Sequence, residues 1–375
     1  MKRLLPILLA LMATSAMAQL PGPPDGDNQK ARVSQWIGPV EVTITYSSPD
    51  VHDPQGKDRT GHIWGELVAY GFTDQGFGTS KAAPWRAGAN ENTTIYFSHA
   101  VRVNGKDLPA GTYALFLDVE KDGPWNWIFS KRSGAWGSYF YDPKDDVARI
   151  PATPSDAAYA EYLTYYFDDR LPSSATAWLQ WEKKKIGFKV EVPDVNSIYI
   201  SLMRDKLEGT PFGWTWKPWR DAAQFCVNNK INLEEALKWA DQSISGTFIG
   251  QENFQTLSTK ANVLRALGRK EEAMTIMDKA VNLPEVAVAD LHQYGKSLLE
   301  SGDNKKALEV FKINAQKHPA DPFTIYVGLA RGYAANGDKK NAIANWEKAL
   351  KNVPENQKSN LPYYQEELKK LKDGK

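Results

Sequence analysis

The chain contains a single cysteine, Cys226, among 375 residues. No disulfide can close within it, so its stability has to come from packing. It has no excess of either charge, with 46 basic residues against 45 acidic ones. A balanced chain exerts no global pull on phosphate backbones or anionic lipid, which argues against nucleic acid as a partner. After the first residues no apolar run approaches the ~20 residues a membrane-spanning helix needs. Catalytic signatures are missing too. There is no Gly-x-Ser-x-Gly elbow, and Cys226 falls on an expected helix with no strand-end histidine beside it, so it reads as a buried, inert thiol. No motif fixes a metal or a cofactor, and none is expected. His52, His62 and His99 lack metal-ligand spacing and read as surface or capping histidines.

At the N-terminus, residues 1–18 read MKRLLPILLALMATSAMA. A basic start, a short apolar run and the small-x-small triplet Ala16-Met17-Ala18 have the layout of a secretory signal peptide. The expectation is an exported, soluble protein, periplasmic or secreted, beginning at Gln19. No cysteine follows the cleavage site, so a lipid anchor there is excluded. Residues 19–31 are rich in proline, glycine and aspartate and are expected to form a disordered leader.

From residue 32 to 193 the hydrophobic pattern has period two. Val40, Val42, Ile44 and Tyr46 alternate with Glu41, Thr43 and Thr45; Ile186, Phe188, Val190 and Val192 alternate with Gly187, Lys189 and Glu191. Such alternation predicts strands with one face on a core and one in water. Further strands are expected at 94–103, 112–119, 125–130, 160–167 and 174–182, with turns at Asn104-Gly105 and Pro109-Ala110-Gly111. Many short strands separated by turns predict an antiparallel β-sandwich.

Beyond Pro193 the period changes. Residues 194–218 read as a connecting helix and a Trp/Pro-rich junction, with Trp214, Trp216 and Trp219 expected to pack between the two parts. From 219 to 375 the chain is helical and repeats itself. Gly268, Gly302 and Gly337 each precede an alanine by five residues (Ala273, Ala307, Ala342), at spacings of 34 and 35. A large residue follows four later (Met277, Phe311, Trp346), then Pro284, Pro319 or Pro354 at the next turn. Small residues (Ala261, Gly295, Ala330) stand seven before each glycine. This pattern resembles the tetratricopeptide repeat. A weaker copy precedes the three, and 360–372 reads as a capping helix with a polar outer face, giving about three and a half repeats.

Five segments of the β region stand together: RTGHIWGELV (59–68), WRAGANENTTIYFS (85–98), VNGKDLPAGTYALF (103–116), WGSYFYDPKDDV (136–147) and LQWEKKKIGFKVEV (179–192). In this order they resemble the bacterial family called domain of unknown function 2911, over about residues 32–192. Some of its members also carry C-terminal tetratricopeptide repeats. This sequence departs in longer loops at 50–61 and 71–84. The resemblance implies fold and compartment, and no reaction.

Arg86, Asn90 and Glu91 lie in the Gly-containing stretch entering a strand and supply a donor fork, a mixed amide and an acceptor. They are ligand-binding candidates together with His62, set against the plainer alternative of an internal salt bridge pinning a loop. Trp125, Trp127, Trp136, Tyr139 and Tyr141 form an aromatic group suited to stacking on sugars, but Trp125 and Trp127 share one strand face and read first as core. Asp145-Asp146 reads as a solvated turn. In the repeats, the first helix of each hairpin presents Asn262, Arg265, His292, Lys296 and Arg331 on one face, a polar and mostly cationic groove. Such a groove suits an acidic peptide or a terminal carboxylate.

Two functions of different classes follow. The first is an exported binding or scaffold protein whose repeats dock a protein or peptide partner. The alternative is an envelope enzyme or carbohydrate-binding protein, with a small-molecule or glycan ligand at Arg86, Asn90 and Glu91. Because no motif carries a reaction, the binding protein is the preferred expectation.

Overall fold

A computed structural model of the chain describes residues 28–374. The expected signal peptide, 1–18, and most of the expected leader lie outside the described residues. The chain forms two units, divided between Val195 and Asn196.

In the first unit the period-two segments pair as two antiparallel sheets. One is ordered β1 (Gln29–Ile37), β2 (Val40–Ser48), β3 (Thr94–Phe97), β6 (Gly111–Asp118), β7 (Trp125–Ser130) and β8 (Asp146–Ala152); the other runs β5 (Lys106–Leu108), β4 (Val101–Val103), β10 (Ser174–Glu191) and β9 (Ser155–Leu171). Between them Trp127 and Phe129 of β7 meet Phe188 of β10 edge-on, with ring centroids 5.2 and 5.4 Å apart. This is the sandwich that alternation predicts, with Val40, Val42 and Ile44 buried as read.

Several boundaries differ. β1 starts inside the expected leader, because Gln29, Lys30 and Ala31 pair with Ser48, Ser47 and Tyr46 of β2. Ladder hydrogen bonds to a long partner hold polar residues that apolar patterning does not reveal. The expected strand 94–103 divides between the two sheets at a corner, where the Glu41 and Ser98 backbones bond and the Glu41 amide donates to Ser98 Oγ. β8 was not anticipated. The expected strands 174–182 and 186–192 are one strand, broken by a bulge at Glu182, whose φ is +52°. The buried set is Ala175, Ala177, Leu179 and Trp181 before the bulge and Ile186, Phe188 and Val190 after it. At left-handed Glu182 the register slips and the inward parity of β10 changes from odd to even, so both halves face the same core.

The second unit begins one residue into α1 (Val195–Gly209), close to the expected connecting helix. Four antiparallel hairpins follow: α2 (Trp216–Asn229) with α3 (Leu233–Ser245), α4 (Phe254–Ala266) with α5 (Lys270–Asn282), α6 (Val288–Glu300) with α7 (Asn304–Lys317), and α8 (Thr324–Ala335) with α9 (Lys339–Leu350). The weak first copy is thus a full hairpin. Gly268, Gly302 and Gly337 turn three of the hairpins at φ of +82°, +85° and +79°, a conformation that side chains resist. Trp219 joins the cluster of α1, α2 and α3, while Trp214 is exposed.

The small-and-large pattern has a direct physical cause. Phe311 of α7 fills the space left by Gly295 on α6 and by Gly328 and Gly332 on α8. A Cβ at those glycines would stand 2.4, 2.6 and 2.9 Å from the ring. The closing helix α10 (Leu361–Asp373) lays Tyr364 against Phe323 and Trp346, sealing the last hairpin.

Candidate functional site

In the β unit the two long loops fold back over the sandwich edge. Trp85 bonds in both directions to Leu117 of β6, beyond the end of β3, and Thr73 pairs with Ala83. Residues 49–59, 67–75 and 83–90 thereby enclose a cleft of about 460 Å³, a size typical of small-molecule sites. Its apolar wall includes Val68, Ala83, Trp85 and Trp181; its polar groups include Asp50, Arg59, Gln75, Arg86 and Asn90. Trp85 stacks on Trp181 at 6.1 Å, and Trp64 packs against Trp85, Trp125 and Trp181.

The rim of this cleft is held in an unusual backbone. Ala87 and Asn90 have φ of +50° and +55°. The buried Ala87 carbonyl accepts hydrogen bonds from the Thr93 and Tyr165 hydroxyls, 3.1 and 2.9 Å away. Strain of this kind persists only where surrounding contacts over-determine it. Arg86 Nη1 donates to the Asn90 carbonyl at 2.6 Å, Nη2 makes a long 3.4 Å bond to Gln75, and the guanidinium lies over the Tyr139 ring at 4.9 Å. Gly137 permits this, since a Cβ there would fall 2.4 Å from Arg86 Cζ.

The four residues proposed as one ligand site separate. Arg86 and Asn90 line the cleft. Glu91 opens on a smaller pocket of about 270 Å³ beside Trp136, where it accepts from Lys30 Nζ and Ser47 Oγ, each at 3.2 Å. Partial burial pushes the Glu91 carboxyl up, but its own backbone N–H, Lys30 and Ser47 outweigh that and hold it below its ordinary value. The positive φ at Asn90 turns the chain between the two pockets. His62 is exposed and bonds to Glu66 at 2.9 Å, lining neither pocket. His52 pairs with Glu161 at 3.0 Å, a contact that raises the imidazole, and His99 bonds to Ser98. Among the described residues no three histidine, cysteine or acidic side chains gather as metal ligands.

Trp125 and Trp127 are core, as their shared face implies, whereas Trp136 is half exposed. The solvated-turn reading fails for Asp146. Its side chain is largely covered, and its Oδ2 accepts from the Tyr141 hydroxyl at 2.7 Å and from Arg149 at 2.9 Å. Cys226 is buried, and burial pushes its thiol up to about 11. The Trp64–Trp85–Trp181 cluster was not foreseen, because its members come from segments far apart in the sequence.

In the helical unit, Asn262 and Arg265 lie on α4, His292 and Lys296 on α6, and Arg331 on α8. Asn262 donates to Gln224 of α2 and accepts from Arg265, both at 3.4 Å. His292 is largely buried against Phe311, its Nδ1 without a hydrogen-bond partner. Burial, with Arg331 and Lys296 close by, drives its imidazole down to about 4, so it is neutral at pH 7. Arg331 lies over the Tyr363 ring. Among the described residues no carboxylate forms an ion pair with Arg265, Lys296 or Arg331.

The architecture is therefore that of a β-sandwich followed by tetratricopeptide hairpins. Residues 28–190 match the family described as a protein of unknown function, DUF2911, and residues 254–285 match a tetratricopeptide repeat. No curated protein matches the chain. Among solved structures it is similar to MamA, residues 41 to the end, from Desulfovibrio magneticus RS-1, at 22% identity over 42% of this chain and 93% of that one, TM-score 0.28. It is also similar to the C-terminal part of a TPR repeat-containing protein from Cytophaga hutchinsonii, at 16% identity over 48% and 74%, TM-score 0.32. Likenesses this remote add nothing to the hairpins seen directly.

Proposed function

We propose that this is an exported scaffold protein whose helical array docks an acidic chain end of a partner protein. The observation that carries it is the set of cations on successive first helices, Arg265, Lys296 and Arg331, with no carboxylate paired to them. Unpaired cations on helices whose backbones are already fixed by packing form an anion surface that needs no backbone ordering to bind. His292, close to Lys296 and Arg331 and neutral at pH 7, adds no fourth positive charge to that row. Tetratricopeptide arrays in general act by binding other chains rather than by chemistry, which agrees with the missing catalytic signatures.

A short Asp/Glu-rich peptide with a free C-terminal carboxylate, labelled for fluorescence anisotropy, tests this. Binding is expected to weaken with salt and with amidation of the terminus, and to be lost in the double variant Lys296→Glu/Arg331→Glu. Equal binding by that variant would rule the reading out. The export part rests on residues 1–18, and N-terminal mass spectrometry of the protein from fractionated cells is expected to find Gln19 first, in the envelope or the medium. An intact Met1 in the cytoplasm would overturn it.

A further inference from the structure

We propose that the cleft of the β unit binds a small carboxylate carrying a flat apolar body, an activity separate from docking by the repeats. Three observations in the cleft converge on that class.

First, its charge is unbalanced in one direction. Two guanidiniums, Arg59 and Arg86, face one carboxylate, Asp50, which lies 3.7 Å from Arg59. Arg59 also gives hydrogen bonds to the Val51 and Asp50 carbonyls, so it holds the 50–59 loop closed. Arg86 differs. Among the described residues no carboxylate pairs with it, and its Nε–H has no hydrogen-bond partner. A half-buried guanidinium with a spare donor and no counter-ion calls for an anion, and a carboxylate matches its planar fork.

Second, that guanidinium is positioned at a cost the fold need not bear for stability alone. Ala87 and Asn90 lie in left-handed backbone beside it, Gly137 gives up a side chain to make room, and the guanidinium rests over the Tyr139 ring. The Thr93 and Tyr165 hydroxyls lock the loop through the Ala87 carbonyl. A surface loop pinned by a simple salt bridge would show Arg86 bonded to Glu91, and it is not. Preorganisation of this kind is what a binding site requires and what a plain loop does not.

Third, the rest of the wall is apolar and aromatic. Trp85 is partly exposed in front of the buried Trp181, and Val68, Leu67 and Ala83 extend the surface. Such a wall favours a flat hydrocarbon body over a bare inorganic anion, which would leave the indoles against water. A sugar would be served by free hydroxyl-matching carboxylates and amides; here the acid is turned to Arg59, the Gln75 amide is bonded to Ser138 and Arg86, the Asn90 amide donates to the Asn28 carbonyl, and the unspent group is a cation.

The full-length protein, labelled with 5-fluorotryptophan, is titrated with 1-naphthylacetate and, separately, with its neutral isostere 1-naphthylacetamide, and followed by ¹⁹F NMR. The carboxylate is expected to shift the Trp85 resonance, assigned from Trp85→Phe, and to bind at least about tenfold more tightly than the amide. Arg86→Gln is expected to erase that preference while leaving amide binding in place; Arg86→Lys, with charge but no fork, falls between. Should Arg86→Gln unfold the loop, Ala89→Trp, which keeps the arginine and adds bulk to the cleft lining, is expected to abolish binding of both probes. Equal binding of acid and amide would overturn the carboxylate assignment. Binding undiminished in Ala89→Trp, or no shift at Trp85, would overturn the site itself.

Discussion

The two units solve the same problem, burying large aromatic rings, in opposite ways. The helical unit does it by repetition: one small residue per hairpin (Ala261, Gly295, Ala330) recurs with one large side chain, and Phe311 sits among Gly295, Gly328 and Gly332. The β unit does it by exception, using a bulge at Glu182, a sheet-switching corner at Ser98 and left-handed residues at Ala87 and Asn90. Regularity gives a surface that recurs from hairpin to hairpin and suits an extended partner. Irregularity gives a cleft that suits a small one. The comparison teaches that, in this chain, regular packing spreads charged groups along successive helices, whereas broken local rules gather groups from distant segments around one cleft.

The largest expected effect sharpens that contrast. Phe311→Ala removes the ring that three glycines were kept small to admit, and those glycines cannot collapse onto the cavity. A loss of about 3–5 kcal/mol is expected for the helical unit. Hydrogen exchange should show α6, α7 and α8 losing protection while β2, β6 and β7 keep theirs. Equal loss in both units would break the comparison.

Next comes the acid response. His292 is held neutral in the fold, at about 4 against an ordinary 6.5. The unfolded chain takes up the proton first as pH falls, so the stabilisation is complete above 6.5 and is lost on the way down to about 4. The helical unit should lose about 3 kcal/mol across that window, and His292→Leu should flatten it. Chemical denaturation of both proteins at several pH values reads the difference. An unchanged slope in the variant would remove His292 from the account.

How much of this was legible beforehand depends on which kind of order was in play. The 34-residue spacing of Gly268, Gly302 and Gly337 marked the hairpins, and the alternation in 40–46 and 186–192 marked the sandwich. Composition alone could not place β1's polar start, because Gln29–Ala31 are held by backbone pairing. Nor could parity counting pass Glu182, since its left-handed backbone and the register slip there reverse every inward position beyond it. The candidate site was half legible. Arg86 and Asn90 do share a cleft, but Glu91 was grouped with them on sequence adjacency, and adjacency fails where the chain turns through positive φ. The Gly88-Ala89-Asn90 run carried that signal, since asparagine tolerates the left-handed region better than most residues. Arg265, Lys296 and Arg331 do lie on α4, α6 and α8, because helical periodicity places such residues reliably. The tryptophan wall was missed because nothing local links Trp64, Trp85 and Trp181.

A smaller effect probes strain without function. Lys230 closes α2 at φ +55° and is exposed. Unlike Ala87, it borders no cleft. Lys230→Gly should raise the stability of the helical unit by roughly 0.5–1 kcal/mol, seen as a higher denaturation midpoint. A loss would mean that Lys230 makes a contribution its backbone does not reveal.

The account stands on two recognition surfaces, one in each unit, and a crossed binding experiment tests it most directly. The acidic peptide and 1-naphthylacetate are titrated into the wild-type protein, Lys296→Glu/Arg331→Glu and Ala89→Trp. Each variant should lose its own ligand and keep the other at wild-type affinity. A variant that loses both ligands while remaining folded, or that loses neither, would contradict the account.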